Sequence, residues 1–153
     1  MASGNFTFSQ KTKLNFFSAT NVLNPANTFK LALVKSTWTP APTTDEVWAD
    51  VSANEISAGN GYTANGNVLA GVTLSQTGGV VTFTSNATVF TANGGSIPAW
   101  YYGVVFASGT LNAKVNPLVG YFLGDSTPAN VPATTANNTL TITMNANGIV
   151  SAN

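Results

Sequence analysis

The sequence predicts an all-β chain: a single antiparallel β-sandwich of jelly-roll or immunoglobulin-like type, or a small barrel, with at most one short helix. Three observations carry that expectation. Apolar and polar residues alternate with a period of two in several short runs, turn-forming residues interrupt the chain every 8–12 residues or so, and no long amphipathic helical pattern occurs. The 153 residues suit one domain, and at about 150 residues a fold hides roughly 68–70% of the surface its unfolded chain exposes. Nine Phe, four Tyr and three Trp supply a core without disulfides or a structural metal.

Residues 1–27 form an N-terminal segment with weak periodicity and four aromatics, Phe6, Phe8, Phe16 and Phe17. These rings are expected to pack on the core of their own chain or on a neighbour, since bare aromatic arms invite aggregation. Residues 28–153 form the sandwich domain. Phe29 to Lys35 reads as a strand with Phe29, Leu31 and Leu33 on one face. Val68 to Gln76 and Gly79 to Thr84 read as a hairpin across Thr77-Gly78-Gly79, followed by a short strand from Ala87 to Thr91. Pro98 to Phe106 and Leu118 to Leu123 are apolar on both faces and mark the middle of the sheet. In the first of these, Trp100, Tyr102, Val104 and Phe106 share a face, and Gly103 and Gly120 admit aromatic rings to the backbone. Thr139 to Met144 alternates three threonines with three apolar residues, then turns through Asn147-Gly148 into Ile149-Val150 as a hairpin. The one short helix is expected around Thr44 to Trp48, with Thr44 as its cap. Between Asn54 and Asn67 lies a Gly/Asn-rich loop, with two Asn-Gly turns around Tyr62.

Charge is the unusual quantity. Asp, Glu, Lys and Arg make up 7% of the chain, against about 25% in an ordinary soluble domain, and the formal net charge is zero. Such a surface has little electrostatic repulsion to keep copies apart, so it is expected to be covered by partners in a homo-oligomer or larger assembly. The five cations are lysines, four of them early (Lys11, Lys13, Lys30 and Lys35) and one late (Lys114). That scatter does not make a phosphate-binding face, and no nucleic-acid partner is expected. The acidic stretch Asp45, Glu46, Asp50 and Glu55 follows the early lysines; it reads as a solvated surface or as a block that pairs with those lysines between copies. The start of the chain lacks the pattern of a signal peptide, and no apolar run approaches the length of a bilayer span, so no membrane partner is expected.

The chain has no histidine and no cysteine. Serine triads, thiol chemistry and His/Cys metal sites are therefore not expected, and the Asp45–Glu55 stretch lacks the ligand spacing of a calcium loop. The glycines do not cradle a phosphate ahead of a helix. We expect no catalytic residue, no metal and no cofactor. The weaker enzymatic alternative is a glycoside hydrolase using two of the five carboxylates. Trp38 and Tyr62, in polar surroundings, are the aromatics most suited to contact a partner or stack on a glycan, whereas Trp100 and Tyr102 read as core. The candidate interface is thus Phe6, Phe8, Phe16, Phe17, Trp38 and Tyr62.

Three segments in order, Asn27-Thr28-Phe29-Lys30-Leu31-Ala32-Leu33-Val34, then Gly59-Asn60-Gly61-Tyr62-Thr63-Ala64-Asn65-Gly66 with Leu69-Ala70-Gly71-Val72-Thr73, then Ala99-Trp100-Tyr101-Tyr102-Gly103-Val104-Val105-Phe106 leading to Asn116-Pro117-Leu118-Val119-Gly120-Tyr121, resemble small virion proteins of tailed bacteriophages. The Gly-Tyr-Thr-Ala-x-Gly loop is the most specific element, and Leu140-Thr141-Ile142-Thr143 with Gly148-Ile149 matches the usual ending, so the likeness spans about residues 27 to 150. The chain departs from that family in having Trp100 where members often carry a basic residue; Asp125 is the candidate for the acidic residue expected after Tyr121. The resemblance implies a virion structural protein made in the host cytoplasm: a capsid decoration or cement protein bound to the major capsid protein, or else a tail- or fibre-associated component.

Overall fold

A seven-residue run in which every second side chain is large and apolar has to be sandwiched, and Thr28–Val34 (β2) is the place where this chain meets that demand first. The computed structural model describes residues 6–9, 22–77, 80–145 and 149–152, and among them the chain is built from antiparallel strands with only two single-turn 3₁₀ segments, Trp48–Asp50 and Ser52–Asn54. In chain order the other strands are β1 (Phe6–Phe8), β3 (Asn67–Val68), β4 (Thr73–Thr77), β5 (Val80–Thr84), β6 (Thr88–Thr91), β7 (Tyr102–Ser108), β8 (Thr110–Leu111), β9 (Lys114–Val115), β10 (Leu118–Leu123), β11 (Thr139–Ile142) and β12 (Val150–Ala152). The fold is all-β, as the periodicity predicts.

Five strands form the first sheet in the order β1-β10-β7-β2-β3. A second layer contains β12-β5-β4 and, beside them in sequence, the pair β6-β11. Phe29, Leu31 and Leu33 of β2, with Val105 and Ala107 of β7, meet Phe83, Phe90, Leu140 and Ile142 of the second layer in the main core; Phe29 and Phe83 touch edge to face with centroids 4.9 Å apart. The opposite face of the first sheet is covered too. Ala32, Val34, Val104, Phe106 and Leu118 pack under Trp38, Trp48 and Val51 from the connection between β2 and β3, with Trp48 stacked on Phe106 at 4.8 Å. Coverage on both faces explains why β7, the central strand, is apolar throughout.

Four elements differ from the sequence reading. Val68 to Gln76 is not one strand: β3 pairs with β2 in the first sheet, and β4 pairs with β5 in the second, so Leu69 to Val72 carries the chain between layers, with Leu69 buried on the way. The C-terminal hairpin does not form. β11 pairs with β6 and β12 with β5, each finding its own partner. Trp100 does not share a face with Tyr102, Val104 and Phe106; it lies in the main core, because β7 starts only at Tyr102 and Trp100 instead bridges to Val131. The short helix shifts to Trp48–Asp50 and is tied by Asp50 rather than Thr44, the Asp50 carboxylate accepting from the Glu46 and Val47 amides at 2.8 and 3.0 Å.

The N-terminal strand β1 joins the sheet edge beside β10, in register Phe6↔Phe122, Thr7↔Tyr121 and Phe8↔Gly120. Two aromatic rings lie over strand glycines there. A Cβ on Gly103 would stand 2.2 Å from the Phe122 ring, and one on Gly120 would meet both Thr7 O and the Phe6 ring. Gly103→Ala is expected to cost about 1–3 kcal/mol by overpacking, read as a lower urea midpoint; Phe122→Leu in the same chain should return part of that loss.

Candidate functional site

The aromatics singled out in the sequence are best followed one by one. Trp38 is buried, its ring edge-on to Tyr102 and Tyr121 at 5.1 and 5.3 Å. Its indole Nε1 donates to Asp45 Oδ2 at 3.2 Å, and the same oxygen accepts the Ala41 amide at 2.9 Å. Tyr62 is only 3% exposed. Neither residue presents a face for a glycan or a partner, because each has found an internal hydrogen-bond partner that lets an amphipathic ring be buried. Phe6 is half-buried, packed against the core with its centroid 6.4 Å from that of Phe122. Phe8 is part of β1 through its backbone pairing. Phe16 and Phe17 lie outside the described residues.

Tyr62 sits where the Gly/Asn-rich loop meets the sheet. The loop is two consecutive turns. Gly59 and Tyr62 exchange backbone bonds around Asn60-Gly61, whose φ angles of 53° and 92° are positive, and the Gly66 amide then donates to Thr63 O. A Cβ on Gly61 would fall 1.8 Å from Thr91 O, so the loop is pressed onto β6. Between these turns the Tyr62 ring reaches inward, 5.6 Å from Phe90. Its hydroxyl accepts the Leu33 amide at 3.0 Å and donates to Glu55 Oε1 at 2.7 Å, and that oxygen also accepts the Asn65 amide. The loop therefore ties β2 in the first sheet to β6 in the second. Burial pushes the Tyr62 phenol well above its usual range, Glu55 adds to that, and the Leu33 amide opposes it.

The acidic stretch is neither a bare solvated surface nor a block free to pair with lysines of another copy. Asp45 holds Trp38, Asp50 ties the 3₁₀ turn and Glu55 anchors the Tyr62 loop. Glu46 forms an ion pair with Lys114 at 2.9 Å, linking the 3₁₀ segment to the β8–β9 hairpin. Asp125 accepts the Thr127 amide at 2.9 Å. All five carboxylates of the chain thus bind the chain itself. Sequence reasoning missed these roles, yet for Asp45 and Asp50 a signal was present: each carboxylate stands three or four residues after the amides it takes, the spacing of local side-chain-to-backbone bonds.

An open cleft of about 570 Å³ lies between the 3₁₀ turn and the β8–β9 hairpin, lined by Glu46, Trp48, Asp50, Asn65, Lys114 and Asn116 among others. Its polar groups are engaged across the cleft walls: Trp48 Nε1 donates to Asn65 Oδ1 at 2.7 Å, and the Trp48 amide to Asn116 O at 2.8 Å. No protein family, curated protein or solved structure matches this chain. Among the described residues no group of three or more His, Cys, Asp or Glu gathers as metal ligands would, and no helix is long and apolar enough to cross a membrane. Half-exposed aromatic surface lies elsewhere, at Tyr101, Tyr102 and Tyr121, where neighbouring ring centroids are 4.7 and 6.0 Å apart; partial burial, and then the neighbouring tyrosines, raise the Tyr102 phenol above its usual range.

Two expectations concern Tyr62. Tyr62→Phe leaves the Leu33 amide without its acceptor and is expected to cost about 1–3 kcal/mol in a urea titration. Because the folded chain keeps the phenol protonated, Tyr62 contributes no pH dependence below about pH 10, where an unfolded tyrosine starts to ionise. Above that, the unfolded chain releases a proton the folded chain retains, and stability falls as pH rises. The alkaline slope of the unfolding free energy should be shallower in Tyr62→Phe.

Proposed function

We propose that this chain is a structural component of a bacteriophage particle, a decoration or cement protein that binds the major capsid protein on the head and works as a homo-oligomer without catalysing a reaction. The observation that carries this reading is the employment of all five carboxylates within the chain's own architecture. A glycoside hydrolase needs two carboxyl groups facing each other across a substrate and free to exchange protons with it, whereas Asp45, Asp50 and Glu55 are each occupied by two donors. What remains outside is a surface poor in charge, of the kind that persists when it is covered by protein. The likeness of residues 27–150 to small virion proteins supplies the particle, and a compact sandwich without coiled coil or repeats suits a plug repeated over a lattice.

Counting copies in purified particles by quantitative mass spectrometry tests the proposal. Several hundred copies per particle are expected; a few to a few dozen would assign the chain to the tail or fibre instead, and absence from particles would end the reading.

A further inference from the structure

From Ile56 to Ala113 the sequence contains no Asp, Glu, Lys, Arg or His, and beyond Lys114 the sole charged side chain is Asp125. Every strand of the second layer, β4, β5, β6, β11 and β12, falls within these stretches, so the whole layer is uncharged. Its outer surface is a field of hydroxyls and small apolar groups: Thr91 lies opposite Thr139, Val89 opposite Thr141, and Ser75 opposite Thr82.

Among the described residues β4 is the terminal strand in the order β12-β5-β4. Of its five residues, Thr73, Ser75, Gln76 and Thr77 are exposed, and only Leu74 turns partly inward to the core. Alternate residues of such an edge turn their N–H and C=O groups away from the neighbouring strand, a template for one more strand. Proteins commonly protect an edge of this sort with lysine, proline or a bulge. β4 has none of these; its register with β5 runs unbroken from Thr73↔Thr84 to Thr77↔Val80.

We propose that β4 is the seam of a two-fold dimer, in which β4 of one copy pairs antiparallel with β4 of a second copy about an axis at Ser75. A two-fold axis brings a strand against its own reverse, and centred on Ser75 it sets Thr73 opposite Thr77, Leu74 opposite Gln76, and Ser75 opposite itself. Opposed residues then share a face, so the inward side stays inward and the hydroxyl side stays outward. The occupant is a second copy because no charge on the layer selects a partner of opposite sign, while two copies of a chain with zero net charge meet without repulsion. The product is one continuous six-stranded sheet, β12-β5-β4-β4-β5-β12. The seam is short, so it fills as the concentration of the chain rises; the inference deepens the homo-oligomer of the reading above.

Sedimentation velocity on the purified chain tests it, over a concentration series reaching the solubility limit. Wild type is expected to move from 15.7 kDa to twice that mass as concentration rises. Ser75→Lys and Ser75→Glu each place like charges face to face at the axis and should stay monomeric, with circular dichroism unchanged because the site is exposed. An equal mixture of the two should recover the dimer through the opposed Lys–Glu pair. A wild type that is monomeric throughout, variants that dimerise as wild type does, or a mixture that remains monomeric would each overturn the seam. None of these results touches membership of the particle, which the copy count decides separately, and absence from particles would leave the dimer standing.

Discussion

The structure depends on how β2 closes its outer edge. β3 offers only two residues of ladder to a strand of seven, and a central, buried strand cannot leave its remaining amides and carbonyls unpaired. Four other bonds continue the row, the first from the Leu69 amide to Phe29 O. The Ile56 amide donates to Leu33 O, the Lys35 amide donates to Asn54 O, and the Tyr62 hydroxyl accepts the Leu33 amide. Because Tyr62 also meets Glu55, and its ring rests near Phe90, a single phenol joins the edge of one sheet, the loop beside it and the facing layer. The register of the sandwich follows from that junction.

The same economy governs charge. A chain with few ionised groups uses its carboxylates as acceptors for its own backbone amides and for one indole. Asp45 makes the burial of Trp38 affordable, and Trp38 in turn supports Tyr102 and Tyr121 on the outer face of the first sheet. Trp100 lacks such a partner: its Nε1 is buried with no acceptor, beneath a ring that packs against Gly124 and Val131.

The alternation of β2 and β11, with the runs of β7 and β10 apolar on both faces, made the layers legible in the sequence, since a period of two reports which residues point into a core and an unbroken apolar run reports cover on both sides. Connectivity was less legible. The Asn-Gly turn after Met144 suggested a local hairpin, but β11 and β12 pair instead with β6 and β5, far earlier in the chain. Likewise Gly71 and Leu69 divide what looked like one strand, because crossing between layers is a demand of the tertiary fold that local propensity does not encode. Trp38 and Tyr62 were misjudged for a related reason: their sequence neighbours are polar, and the acceptors and donors that permit their burial, Asp45 for one and Leu33 with Glu55 for the other, become visible only once the chain is folded.

The uncharged second layer has a consequence for the solution in which the protein works. Mobile ions act on proteins mainly by screening fixed charges, over about 10 Å at 0.1 M and less in brine. Along the stretch from Ile56 to Ala113 there is no ionised side chain to screen, so contacts made by that wall respond to dissolved salt through burial of apolar surface rather than through screening, whereas the Lys114–Glu46 ion pair responds through screening.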